Sequence, residues 1–193
     1  MKNLLLALLA VAVAPTAFAQ GLDDAAYYGL ALGTFDYEEG DGQGGAFLSD
    51  SVSSYRLMVG YRFMKHLGVE GGYGETGTIR DTASLPVFGG GTVPLTFTSE
   101  FKILTIRLLG VLPFDNGVSL VGGLSYADMR QDIDFQIGTG PQQSTDVDGN
   151  EPAYYLGAQY DWDRFAVRLG YEKYDLQGDV DANETMITFF YKL

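Results

Sequence analysis

The sequence predicts an all-β fold, an eight-stranded antiparallel up-and-down transmembrane β-barrel, on three observations. Apolar residues recur at every second position through successive stretches, no long helical run interrupts them, and a secretory-type leader precedes them. A sheet with that alternation has one oily face and one wet face. When the oily face looks outward, its solvent is lipid.

The leader sets the compartment. Lys2 supplies a positive start, residues 4–13 form an apolar core too short to span a bilayer, and Ala17-Phe18-Ala19 offers small residues at a cleavage point. The expected division is therefore a cleaved signal peptide over 1–19 and a barrel domain over 20–193, beginning at Gln20. Removing the leader leaves 174 residues, one domain by length, enough for eight strands of about ten residues with three tight turns and four longer loops. With no cysteine the chain has no disulfide, thiol nucleophile, thiolate metal site or lipid-modified cysteine. Its net charge of −13 argues against nucleic acid bound through a basic patch. Thirteen tyrosines, twelve phenylalanines and twenty-six glycines at near-zero mean hydropathy suit a barrel whose two faces average out.

The strands follow in order. In the first, Tyr28, Leu30 and Leu32 are large and apolar, while Gly29 and Gly33 fall on the lumen side. The second places Tyr55, Leu57, Val59, Tyr61 and Phe63 on one face against Ser54, Arg56, Met58, Gly60 and Arg62 on the other. The fourth is apolar on both faces from Lys102 onward, and Leu104, Ile106 and Leu108 are assigned outward so that Thr105 and Arg107 face in. Val118, Leu120, Gly122, Leu124 and Tyr126 define the fifth; Phe165, Val167, Leu169 and Tyr171, against Arg168, Gly170 and Glu172, define the seventh. A slip of one residue would turn arginines into lipid, so register is strongly specified.

Connections alternate in length. Met64-Lys65-His66-Leu67, Pro113-Phe114-Asp115-Asn116-Gly117 and Asp161-Trp162-Asp163-Arg164 read as tight turns. Residues 37–51, 80–97, 131–151 and 176–183 read as long, polar loops. Short turns belong in the periplasm and long loops outside, which puts both termini in the periplasm.

Gly60-Tyr61-Arg62-Phe63 with Val69-Glu70-Gly71-Gly72-Tyr73, then Leu112-Pro113, Arg168-Leu169-Gly170-Tyr171-Glu172-Lys173-Tyr174-Asp175 and an apolar-aromatic last strand resemble the small outer-membrane β-barrel family of Gram-negative bacteria. The likeness is to the transmembrane domain of OmpA and to OmpX, and it covers residues 20–193 by pattern more than by motif. It implies residence in the outer membrane, lipid and lipopolysaccharide as surroundings, and insertion by the barrel-assembly machinery. Ile187, Phe189, Tyr191 and Leu193 match that family's carboxy-terminal assembly signal, with Leu193 where the family usually has Phe. The wall-anchoring domain that follows the barrel in full-length OmpA is not expected here.

The assigned register points Arg56, Arg62, Glu70, Arg107, Arg168 and Glu172 into a lumen narrow enough for side chains to fill, where unpaired charges would be costly. A lumen charge network is expected, and the resemblance implies the same; a gated ion path stays open as an alternative. Enzyme readings fare poorly, because the palmitoyltransferase and lipid A deacylase barrels that resemble this chain in size use a histidine with a serine or acid partner near the outer leaflet, and omptin-type proteases need a larger barrel and an outer-leaflet His and acid set. The one histidine, His66, sits in a tight turn without a neighbouring serine. No cofactor is expected. Asp146-Val147-Asp148-Gly149-Asn150-Glu151 is oxygen-rich but departs from calcium-loop spacing, so no metal site is assigned. The apolar stretch over 85–95 either extends the sheet above the membrane or binds a partner, and Trp162 with the strand-end tyrosines forms interfacial girdles.

The sequence thus reads as a monomeric, non-enzymatic barrel serving envelope integrity or surface interaction through acidic extracellular loops. Its extracellular ligand is not encoded in any motif. A narrow ion or small-solute channel and a periplasmic lipocalin-like binding barrel are the alternatives, and outward Tyr, Leu and Phe oppose the latter.

Overall fold

In the computed structural model, which describes residues 25–40, 46–86, 90–176 and 180–193, the described chain is β-sheet and tight turns. The expected leader, residues 1–19, lies outside the described residues. Strands β1 (Ala25–Gly40), β2 (Ala46–Met64), β3 (Leu67–Thr76), β4 (Ile79–Pro86), β5 (Thr92–Pro113), β6 (Val118–Ile137), β7 (Gln143–Trp162), β8 (Phe165–Tyr174) and β9 (Val180–Lys192) are all antiparallel to their neighbours. The order β3-β2-β1-β9-β8-β7-β6-β5 is closed by pairing of β3 with β5, which makes a ring of eight strands. Closure removes the free edges that a sheet cannot leave in hydrocarbon.

The ninth segment, β4, continues β3 past a break at Gly77-Thr78. Below the break, β3 pairs with both β2 and β5; above it, β4 pairs with β5. Gly77 N donates to Ser53 O at 2.7 Å, and Phe101 N donates to Thr76 Oγ1 at 3.0 Å, so the polar backbone stays satisfied where the ladder splits.

Burial alternates as the apolar pattern requires. Tyr28, Leu30 and Leu32 on β1, Tyr55 and Leu57 on β2, Ile106 and Leu108 on β5, Leu120, Leu124 and Tyr126 on β6, and Leu169 and Tyr171 on β8 are exposed on the outer wall. Ala31, Arg56, Met58, Thr105, Arg107, Val121, Arg168 and Glu172 are buried inside. The ambiguous strand therefore resolves with Thr105 and Arg107 inward. At one end the strands are joined by the turns at Lys65-His66, Phe114-Asp115-Asn116-Gly117 and Asp163-Arg164. Gly117 (φ 81°) and Asp163 (φ 49°) supply the left-handed backbone that two of these turns need.

The other end departs from the sequence reading. Residues 37–51, 80–97, 131–151 and 176–183 were expected as long loops, yet 37–40, 46–51, 80–86, 92–97, 131–137, 143–151 and 180–183 are strand. Between β6 and β7 only residues 138–142 form the connection, with Gly138 at φ 58°. The physical reason is that both faces of a strand above the membrane are wet. Polar and glycine-rich composition is then compatible with a ladder held by backbone hydrogen bonds. Part of the apolar stretch over 85–95, residues 87–89, lies outside the described residues; 92–95 pairs with β4 and 95 also with β6. The calcium-loop look-alike, residues 146–151, is extended strand within β7.

Candidate functional site

The outer wall carries two belts of aromatic side chains. Near the turn end, Tyr28, Tyr160, Trp162, Phe165 and Tyr191 form a chain of ring contacts: Tyr160–Trp162 at 5.8 Å, Trp162–Phe165 at 6.1 Å, Phe165–Tyr191 at 5.5 Å and Tyr28–Tyr191 at 5.6 Å. Toward the other end, Tyr55, Tyr73, Tyr126, Tyr154 and Tyr171 point outward, each on a different strand. Between the belts the outward positions are Leu, Ile, Val, Phe, Ala and Gly. On β7 the belts are eight residues apart, Tyr154 to Trp162, close to the roughly 9–11 tilted residues that span a bilayer. Amphipathic rings at both polar boundaries with hydrocarbon-like residues between them are the outer surface of a membrane-spanning barrel.

Inside, charge is concentrated at mid-height. Arg56 Nη1 donates to Glu172 Oε2 at 2.7 Å, and its Nη2 donates to Tyr174 Oη at 2.5 Å and to Glu184 Oε2. Arg107 donates to Ser125 Oγ at 3.0 Å and to Glu70 Oε2 at 3.1 Å. Its Nη2 lies 2.7 Å from Glu172 Oε1 as an ion contact without aligned hydrogen-bond geometry. Arg168 donates to Gln159 Oε1 at 2.8 Å and to Glu70 Oε1 at 2.6 Å. Tyr27 Oη donates to Glu70 at 2.7 Å, and Ser54 Oγ to Glu184 at 2.7 Å. Three arginines face three glutamates, and all eight strands of the ring contribute a member. The guanidinium of Arg107 also stacks 3.8 Å from the Tyr155 ring, and that of Arg168 lies 4.5 Å from Phe190.

Five of the six sequence-predicted lumen charges, Arg56, Glu70, Arg107, Arg168 and Glu172, meet in this network. Arg62 does not. It points inward but sits nearer the turn end, where it lines a cavity of about 30 Å³ with Gln159, Asp161 and Lys192. Lys192 Nζ pairs with Asp161 at 3.0 Å there. The register places Arg62 opposite Ala25 and Gly68, six residues along β2 from Arg56 and two positions nearer the turn end than Gly60, the partner of Glu70. Sequence reasoning missed Glu184, whose signal was the inward phase of Glu184, Met186, Thr188 and Phe190 on β9. Tyr27, Tyr155 and Tyr174 were missed as well, and their signal was likewise the inward phase of their strands.

Apolar layers close the network from both sides. On the turn side Tyr27, Ala31, Met58, Ala166, Met186 and Phe190 pack together, and Leu109, Val111, Val121 and Tyr155 form a second cluster. On the other side Phe35, Tyr37, Phe101, Ile103, Met129 and Tyr174 belong to a larger cluster, with Phe35 and Phe101 rings 5.2 Å apart. Large rings fit because glycines face them: a Cβ at Gly60 would run into the Tyr27 ring, and one at Gly170 into Tyr155.

His66 is exposed in its turn, its Nδ1 3.0 Å from Val111 O. Ile187, Phe189 and Tyr191 occupy the outward phase of β9, Phe189 faces Leu30 and Val167 across the ladders, and Leu193, exposed just past the strand, donates its N–H to Ala26 O at 2.9 Å. Above the upper tyrosines the outer wall turns ionic. Lys102 pairs with Asp132 at 2.6 Å, Arg130 with Asp132 and Asp146, and Lys173 with Asp181 at 2.9 Å. The Lys102 ammonium holds the Asp132 carboxyl below its usual range, and Asp132 raises Lys102 in return. Among the described residues no group of His, Asp or Glu is arranged to hold a metal ion.

The fold and its belts define a membrane-spanning β-barrel. The chain belongs to the family of the outer membrane protein beta-barrel domain, whose profile matches residues 4–192. Its structure is similar to Ail, the attachment invasion locus protein of Yersinia pestis, at 20% identity and a TM-score of 0.55, covering 87% of this chain and 99% of that one. It is also similar to Neisserial surface protein A, at 13% identity and a TM-score of 0.58, covering 87% and 97%. No curated protein matches the sequence.

Proposed function

We propose that this outer-membrane barrel is a non-conducting, non-enzymatic, monomeric surface protein. Both termini and the tight turns lie in the periplasm, and the strand extensions lie outside the cell. Ail and the Neisserial protein share the fold, and at these identities only the fold; the surface role is proposed on this chain's own features. The observation that carries the reading is the packed, ion-paired lumen. Three arginines and three glutamates pair with one another at mid-height, and apolar clusters pack against them on both sides, which supports a lumen closed to ions. The surface left for interaction outside the cell is then the extension beyond the upper tyrosines.

The strong net negative charge, −13 over the full sequence, disfavours polyanionic partners such as nucleic acid. Lipid and lipopolysaccharide are the surroundings of the wall, and Ile187, Phe189, Tyr191 and Leu193 serve as the assembly signal. Residues 1–19 are the cleaved leader. Planar-bilayer recording on the refolded, lipid-inserted protein tests the reading: the expected result is a flat baseline at the conductance of the bare bilayer. Reproducible steps whose size changes in the Glu184→Gln variant would overturn it in favour of an ion path through the network.

A further inference from the structure

The mouth opposite the tight turns holds a cup of about 500 Å³. β7 rises to Gln143 while β8 ends at Tyr174, opposite Ala153, so among the described residues the upper part of β7 pairs with β6 alone. Tyr37, Phe101 and Met129 make the floor, which is the top of the apolar cluster above the network, and Leu176, Val180 and Glu151 line the sides. A floor of two aromatic rings and a thioether, in a space the size of an ordinary small-molecule pocket, offers apolar contact to a ligand.

Charge around the cup is sorted by face. Arg80, Lys102, Arg130 and Lys173 are the lysines and arginines above the network among the described residues, and each neighbours buried inward residues (Ile79, Phe101, Met129, Glu172), so each points outward. Glu151 stands on the inward phase with Ala153 and Tyr155, Asp50 lies opposite inward Tyr37, and Asp81 is in phase with buried Ile79. Among the described residues, Glu151 therefore stands in the cup with no lysine or arginine lining it. The geometry points to a small organic cation with an apolar portion, an alkyl- or arylalkyl-ammonium, as the occupant of the cup. Its hydrocarbon rests on Tyr37, Phe101 and Met129, and its ammonium pairs with Glu151. This deepens the surface reading and rests on it only for access to the mouth from outside the cell.

The test uses 4-phenylbutylammonium, its neutral alcohol and its carboxylate counterpart, titrated into the full barrel in zwitterionic nanodiscs with empty nanodiscs as the reference. Saturable binding is expected, with the ammonium preferred over the alcohol by about fivefold or more, the range of one partly exposed ion pair, and the carboxylate weakest. Glu151→Gln should abolish the preference and keep the weak alcohol binding. Gly149→Leu should abolish saturable binding of both, since a Cβ there has open room, meeting only the Glu151 carboxylate at 3.4 Å, so the new side chain can project into the cup. Heat-modifiable gel mobility confirms that each variant is folded. Uptake no greater than in empty nanodiscs, unchanged binding in Gly149→Leu, or no preference for the ammonium would each overturn the proposal. Protease access to the 138–142 connection in intact cells reports orientation separately, so failure of the surface reading is distinguishable from failure of the cup.

Discussion

Arg56, Arg107 and Arg168 are each held by partners from more than one strand, so the loss of one acid is felt across the ring. Glu184 is the sharpest case. It receives Arg56, Ser54 and Tyr174, and its replacement by Gln leaves Arg56 in a buried site with one acid fewer. Breaking a buried pair by removing one partner costs about 3–5 kcal/mol. Urea unfolding of Glu184→Gln in detergent should show that loss, and a double variant with Arg56→Met should cost less than the sum of the two single changes. Glycines offer a second residue-scale contrast. Gly60→Ala pushes a methyl into the ring of Tyr27, which Glu70 holds by a hydrogen bond, and should cost about 1–3 kcal/mol. Gly122→Ala meets nothing nearer than Tyr155 O at 3.9 Å and should stay within about 0.5 kcal/mol in the same assay. The inward charges were legible from period-two alternation alone, because a misplaced arginine would face lipid. Glu184 escaped because the last strand's apolar-aromatic outer face drew attention from its inner one.

Strand identity was legible where one face met lipid and the other the lumen, as on β2 and β8, and illegible where both faces met water. The upper halves of β6 and β7 show this. Asp132, Asp134, Asp146 and Asp148 gave residues 131–151 the look of a solvated loop, yet 18 backbone pairs join the two strands from Val118↔Tyr160 to Phe135↔Gln143. Nothing in side-chain chemistry announces a ladder built from backbone groups. Amide exchange makes the difference measurable. Residues 131–135 of β6 are flanked by both β5 and β7 and should exchange slowly. Along residues 143–150 of β7, which pair with β6 on one side, every second amide should exchange fast. Uniformly fast exchange across 131–151 would restore the loop description.

At the scale of the whole molecule, the two aromatic belts fix where the bilayer sits, and that placement decides which substitutions the barrel tolerates. Leu57, Leu124 and Leu169 face outward between the belts and are among the most exposed apolar side chains, at 60%, 64% and 61%. Exposure of that size on three separate strands fits lipid as the solvent and would be a liability in water. Arginine at any of the three should destabilise the barrel by about 2–4 kcal/mol near the midplane, whereas arginine at Thr34 or Ser53, outward positions just past Leu32 and Tyr55, should cost about 1 kcal/mol or less. The chain's single tryptophan gives an independent depth gauge, since Trp162 stacks in the belt at the turn end. In vesicles of brominated lipids its fluorescence should be quenched by bromines near the headgroups and little by bromines at the acyl termini. Strong quenching from the bilayer centre, together with a mild Leu124→Arg, would mean that the barrel lies deeper than the belts indicate and that the ionic row of Lys102, Arg130 and Asp132 meets hydrocarbon. Those side chains are paired but substantially exposed, at 43%, 41% and 39%, a state that water or headgroups can sustain and hydrocarbon cannot.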